Sequence, residues 1–251
     1  MDEALKRAAL AAVIAVTLCA TNAAAIPTAT LYAANGGGKL YQLDPTTGSG
    51  ALLGAGSWVG EGLSFSPAGD LYASNGGGKL YQVDPMTGAG TLIGAGGWVG
   101  AGLAFAPSGE LYASNGGGKL YQLDPATGSG TLIGSGSWVG EGLAFSPTGE
   151  LYASNGGGKL YQLDVSNGSG ALIGSGSWVG AGLAFSASGE LYASDGGGKL
   201  HAVDPTTGGG TLIGAGSWVG TGLAFSPVPE PSSLVLLSLG LVAVAARRQR
   251  A

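Results

Sequence analysis

Short apolar runs and turn-forming breaks alternate along most of the chain, and the alternation itself repeats. Between Leu111 and Glu150 the runs are ELYAS, KLYQLD, TLIG and GLAFS, separated by NGGG, DPATG, GSGSWVGEG and SPTG. The runs are rich in aromatic and branched residues, and the breaks hold the Gly, Pro, Asn and Asp of turn chemistry. Each unit therefore predicts four short antiparallel strands, with no helix anywhere in the repeated region. Copies begin at Leu31, Leu71, Leu111, Leu151 and Leu191, so residues 31–227 are five units of one 40-residue pattern without insertions.

A fixed period of this length marks a repeat architecture, in which each unit buries its apolar surface only against its neighbours. Four strands in about 40 residues is the size of one propeller blade. The phase points to closure: the first unit opens at Leu31 with no preceding GLAFS, while the last ends on GLAFSP at residues 222–227. The C-terminal strand is then free to complete the first blade, a velcro closure. The expected fold is all-β, a propeller of about five four-stranded blades; a right-handed β-solenoid or an open repeat array is the alternative. The phrase GLAFSPTGELYAS also resembles bacterial propellers of the NHL and gluconolactonase-like kind, which commonly have six blades.

The chain divides into an expected signal peptide over residues 1–25, the repeats over 26–227 and a C-terminal segment over 228–251. Lys6 and Arg7, an apolar stretch from Ala8 to Ala20, and small residues at Ala23, Ala24 and Ala25 have the layout of a secretory signal. That stretch is too short for a mature membrane span. Leu18, where a small residue is wanted, argues against lipidation of Cys19. At the other end Pro229, Glu230 and Pro231 precede an apolar run from Leu234 to Ala246 and then Arg247, Arg248 and Arg250. This tail resembles the PEP-CTERM sorting signal of Gram-negative bacteria. The resemblance implies recognition of Pro229, Glu230 and Pro231 by an exosortase in the inner membrane, removal of the tail, and travel with an exopolysaccharide or biofilm programme. Arginines after an apolar helix hold that end in the cytoplasm, but residues 232–246 reach only ~22 Å against a ~30 Å hydrocarbon core, so the membrane hold reads as transient.

Composition adjusts this picture in two respects. Gly at 52 and Pro at 11 make up a quarter of the 251 residues, which signals disorder in an aperiodic chain and turns in a periodic one. Between Ile26 and Glu230 five Lys face thirteen Asp and Glu, a net −8 that argues against nucleic acid and anionic lipid surfaces as partners. Cys19 is the only cysteine, so the repeats form no disulfide and no thiolate metal site.

Candidate chemistry recurs once per unit. Trp58, Trp98, Trp138, Trp178 and Trp218 lie in Gly-rich loops; they read either as packing between blades or as platforms stacking a sugar ring, with avidity toward a polymer. Asn35, Asn75, Asn115, Asn155 and Asp195, and Asp44, Asp84, Asp124, Asp164 and Asp204, read as turn caps, without the dense acidic spacing of a calcium loop. Lys39, Lys79, Lys119, Lys159 and Lys199 follow GGG, but a strand comes next and no hydroxyl residue, so this is no phosphate loop. His201 is the only histidine and replaces a Tyr. Glu61, Ala101, Glu141, Ala181 and Thr221 occupy the position before the expected inner strand, a thin basis for a metal hydrolase. The expectation is an exported, non-enzymatic binding or scaffold module of the cell surface or matrix, with no catalytic residue, metal or cofactor. A Gly-rich structural assembly without a ligand and a gluconolactonase-like enzyme are the competing readings.

Overall fold

Turn residues set the strand boundaries. The computed structural model describes residues 29–227 apart from Val59, Val99, Val139 and Val179; the expected signal peptide and the C-terminal hydrophobic helix lie outside the described residues. After β1 (Leu31–Ala34), Asn35 Oδ1 accepts the amides of Gly37 (3.0 Å) and Lys39 (2.9 Å), and Gly38 takes a φ of +73°. The chain reverses there into β2 (Lys39–Leu43). Asp44 then caps the next reversal: its Oδ1 accepts the Thr46 amide at 2.8 Å, its Oδ2 the Thr47 hydroxyl at 2.9 Å, and its carbonyl the Gly48 amide at 2.8 Å. These are side-chain mimics of backbone turns, and they deliver the chain into β3 (Gly50–Ala55).

The same steps recur in β4 (Gly62–Phe65), β5 (Leu71–Ser74), β6 (Lys79–Val83) and β7 (Gly90–Ala95), and again through β8–β11 (102–135), β12–β15 (142–175) and β16–β19 (182–215). A last strand, β20 (Gly222–Phe225), follows. The five sheets are β20-β1-β2-β3, β4-β5-β6-β7 and the three later groups of four, all antiparallel. This is a five-bladed propeller, and β20 closes it as expected. Leu31 pairs with Phe225 and Ala34 with Gly222, while the Ser226 amide donates to the Thr30 carbonyl at 2.8 Å. Residues Ala29–Pro227 form one compact unit, and every strand of the ring lies within it.

The apolar core consists of five separate clusters, one between each pair of neighbouring blades. In one of them Ala34, Leu40 and Trp58 from the first blade and its outgoing loop meet Leu63, Leu71, Ala73, Tyr81 and Val83 of the second. The inner three strands of each blade bury residues on both faces, so adjacent residues face different clusters: Leu80 packs toward the third blade and Tyr81 toward the first. A register shift at Leu80/Tyr81 pairs them with Gly94 and Leu92 and leaves Ile93 between, packed on the core, while Leu92 is half-exposed. At the rim the neighbouring backbones touch. A Cβ on Gly54 would collide with the Thr87 carbonyl, and one on Gly88 would come within 3.0 Å of the Gly54 carbonyl carbon.

Candidate functional site

The five Trp are the largest fully buried side chains, each at most 1% exposed. Trp58 Nε1 donates to the Gly88 carbonyl of the next blade at 2.7 Å, and Trp218 closes the circle by donating to the Gly48 carbonyl at 2.8 Å. Glycines make the slot: a Cβ at Gly56, Gly60 or Gly90 would come within 3.0 Å of the Trp58 ring. Neither face of the indole is open, so the sugar-platform expectation for Trp58, Trp98, Trp138, Trp178 and Trp218 gives way to the packing one. A buried indole with its N–H satisfied is a latch between blades.

The central axis is nearly filled. The innermost strands present Leu, Ser or Ala, and Phe around a cavity of about 130 Å³, and the neck at Glu61, Gly62 and their equivalents leaves about 10 Å³. Both are well below the ~300–1,000 Å³ of ordinary small-molecule sites. Glu61 and Glu141 both line that neck, and their carboxylates lie over Gly76 and Gly156. Each Phe lining the cavity packs against a half-buried Tyr of a neighbouring blade, as Phe105 does against Tyr72 with ring centroids 5.1 Å apart. Burial raises the Tyr72 hydroxyl pKa above its ordinary value, with the Asp70 charge adding to it.

Strand direction separates the charges. Turns from the first to the second strand of a blade and from the third to the fourth share one face of the ring; they carry Asp70, Glu110, Glu150 and Glu190, and the five capping Asp. Among the described residues that face holds nine carboxylates and no Lys. The opposite face carries all five repeat Lys with Glu61, Glu141 and Asp195. The turn hydrogen bonds hold the capping Asp below the usual carboxylate range, Asp204 at about 2 through the Thr206 hydroxyl and amide and the Thr207 hydroxyl. His201, in β18 (Lys199–Val203), is buried beside the last blade interface; burial lowers its pKa, with Asp195 opposing and Lys199 assisting.

Two open grooves lie on the acidic face, of about 430 Å³ in the second blade and about 420 Å³ in the fourth. Asp70, Gln82, Asp84 and Pro85 line the first; Glu150, Gln162, Asp164 and Val165 line the second. Gln82 Nε2 donates to Asp70 Oδ1 at 3.2 Å. Sequence reasoning passed over these glutamines because nothing local marks them. The signal was their phase, which places Gln two residues before the turn Asp in four of the five units.

Residues 227–250 match the family described as the PEP-CTERM protein-sorting motif, with Pro229, Glu230 and Pro231 at its start. The chain carries a PEP-CTERM sorting signal. That motif implies an exported, exosortase-processed protein with a C-terminal membrane-anchoring sorting signal. No curated protein matches it. Among solved structures, it is similar to one from a study of the de novo evolutionary emergence of a symmetrical protein, at 26% identity and a TM-score of 0.56, covering 80% of this chain and 100% of that one. It is also similar to a chain of a nidogen/laminin complex, at 13% identity and a TM-score of 0.55, covering 80% and 99%, a likeness of fold alone.

Proposed function

We propose that this protein is a non-enzymatic scaffold module of a polysaccharide matrix outside a Gram-negative cell. On this reading residues 1–25 direct export, and the C-terminal segment holds the protein at the inner membrane in transit. An exosortase then releases the ring to the cell surface or matrix. The observation that carries the reading is the coupling of a PEP-CTERM signal to a closed ring that repeats one surface around its axis. Equivalent surfaces favour a repetitive partner, because linked weak contacts add as avidity.

The titratable groups support a structural rather than a catalytic role. The capping Asp hold turns, Glu61 and Glu141 lie over glycines of neighbouring loops, and His201 occupies a core position that is Tyr in the other units. The test is made on the protein from its own cells. Mass spectrometry should find Arg250 absent from the mature form, and fractionation should find the ring with the exopolysaccharide and free in a strain unable to make it. An intact Arg250, or a distribution indifferent to the polysaccharide, would overturn the proposal.

A further inference from the structure

The grooves of the acidic face have a chemistry that the repeats do not share equally. In the second, third and fourth blades three groups recur: a carboxylate at the first turn (Asp70, Glu110, Glu150), a glutamine in the third strand (Gln82, Gln122, Gln162) and the capping Asp. The first blade lacks the turn carboxylate because the chain closes there through Thr30 and Ser226. The fifth has Ala202 in place of the glutamine. Three consecutive blades are therefore complete and the other two are not.

We infer that the grooves of the second and fourth blades, with the matching residues of the third blade between them, bind an uncharged, hydroxyl-rich oligosaccharide laid across the second to fourth blades; this deepens the proposed matrix role and rests on it. The groove side chains are acceptor-rich. Asp84 spends Oδ1 on the Met86 amide and Oδ2 on the Thr87 hydroxyl, so it is structurally committed. Asp70 and Gln82, both exposed, orient each other through their 3.2 Å hydrogen bond and leave a carboxylate oxygen and the amide oxygen for ligand hydroxyls. Pro85, and Val165 at 38% exposed, add small apolar walls for the C–H face of a sugar. The volume of 420–430 Å³ lies in the range of small-ligand sites.

Charge selects the class. The nine carboxylates, with no cation on the same face among the described residues, repel polyuronates and sulfated polymers. Among the described residues no group of three His, Cys, Asp or Glu is placed to hold a metal ion. Neutral sugar hydroxyls donate to these acceptors with no counter-charge to supply.

The chain supplies its own control, since the fifth blade keeps its strands with Ala202 where the others have Gln. The triple variant Gln82→Ala, Gln122→Ala, Gln162→Ala should therefore stay folded by circular dichroism. Against an array of neutral glycans, with polygalacturonate and polylysine alongside, the parent protein should bind neutral oligosaccharides. The triple variant should lose about ten-fold or more in apparent affinity, and Ala202→Gln, which gives the fifth blade the same three residue types, should gain several-fold, as linked sites require. No neutral glycan bound, binding by polylysine or polygalacturonate alone, or neutral binding indifferent to both variants would each overturn the inference. Matrix retention in cells separates the two levels: a protein retained in the matrix without neutral-glycan binding sinks only the groove assignment, whereas loss of retention sinks the matrix role itself.

Discussion

At the scale of single residues, Trp138 shows how one side chain serves two blades. It is 1% exposed, and its indole N–H reaches the Gly168 carbonyl of the next blade at 2.8 Å. Trp138→Ala leaves a cavity and an unpaired carbonyl, and should cost about 3–5 kcal/mol in chemical denaturation. A loss below about 1 kcal/mol would show that the latch is dispensable. His201 gives the converse case. Because burial lowers its proton affinity in the folded chain, the unfolded chain takes up the proton first as pH falls. Its contribution is complete above the ordinary value of about 6.5 and declines below it. His201→Tyr restores the residue of the other units and should flatten the stability profile between about pH 7 and 5, where the parent protein loses stability.

At the scale of elements, β20 decides whether the ring is a ring. Among the described residues it is the only strand joined to its sheet by a long-range return, with Gly222 opposite Ala34 and Thr221 donating its amide to the Ala34 carbonyl at 2.8 Å. Removing residues 222–227 exposes the edge of β1 and takes Leu223 and Phe225 out of the Leu31 and Ala33 cluster. The truncated protein should lose cooperative unfolding and become sensitive to limited proteolysis in β1–β3. A permutant that places residues 221–227 ahead of Ala29 should keep the parent's protease resistance, since the Ser226 amide already lies 2.8 Å from the Thr30 carbonyl. Failure of the permutant to fold would mean that closure needs more than adjacency. The element pattern was largely legible in the sequence, because Asn-Gly and Asp-Pro breaks act within a few residues. The both-faces burial of Leu80 and Tyr81 was less so, since period-2 alternation assumes one buried face.

At the scale of the whole molecule, the ring has an acid limit and a base limit set by different residues. The capping Asp, with folded-state pKa values held down, contribute stability that is present above the unfolded carboxylate value near 3.9 and lost as pH falls through the folded values, about 2 for Asp204. The half-buried Tyr of the Tyr–Phe pairs, with raised values, contribute stability that is present below about 10 and lost above it. The melting temperature should therefore decline gently below about pH 6.5, fall steeply between about pH 4 and 2, and fall again above about 10. Proton NMR of the Asp204 carboxyl should report a midpoint near 2, and a midpoint near 4 would refute the turn-bond origin of the acid limit.

The sequence by itself determined the number of units, the strands within them, the turn caps, the phase that closes the ring and the sorting signal. All of these depend on contacts a few residues apart or on spacing along the chain. Only the tertiary structure decided where the Trp rings go, which face the carboxylates share and that Gln82 meets Asp70 twelve residues earlier. A Trp in a Gly-rich loop reads the same in sequence whether the glycines free it or wall it in. The difference lies in the next blade, where Gly88 and Gly90 leave a slot that only the folded ring brings around the indole.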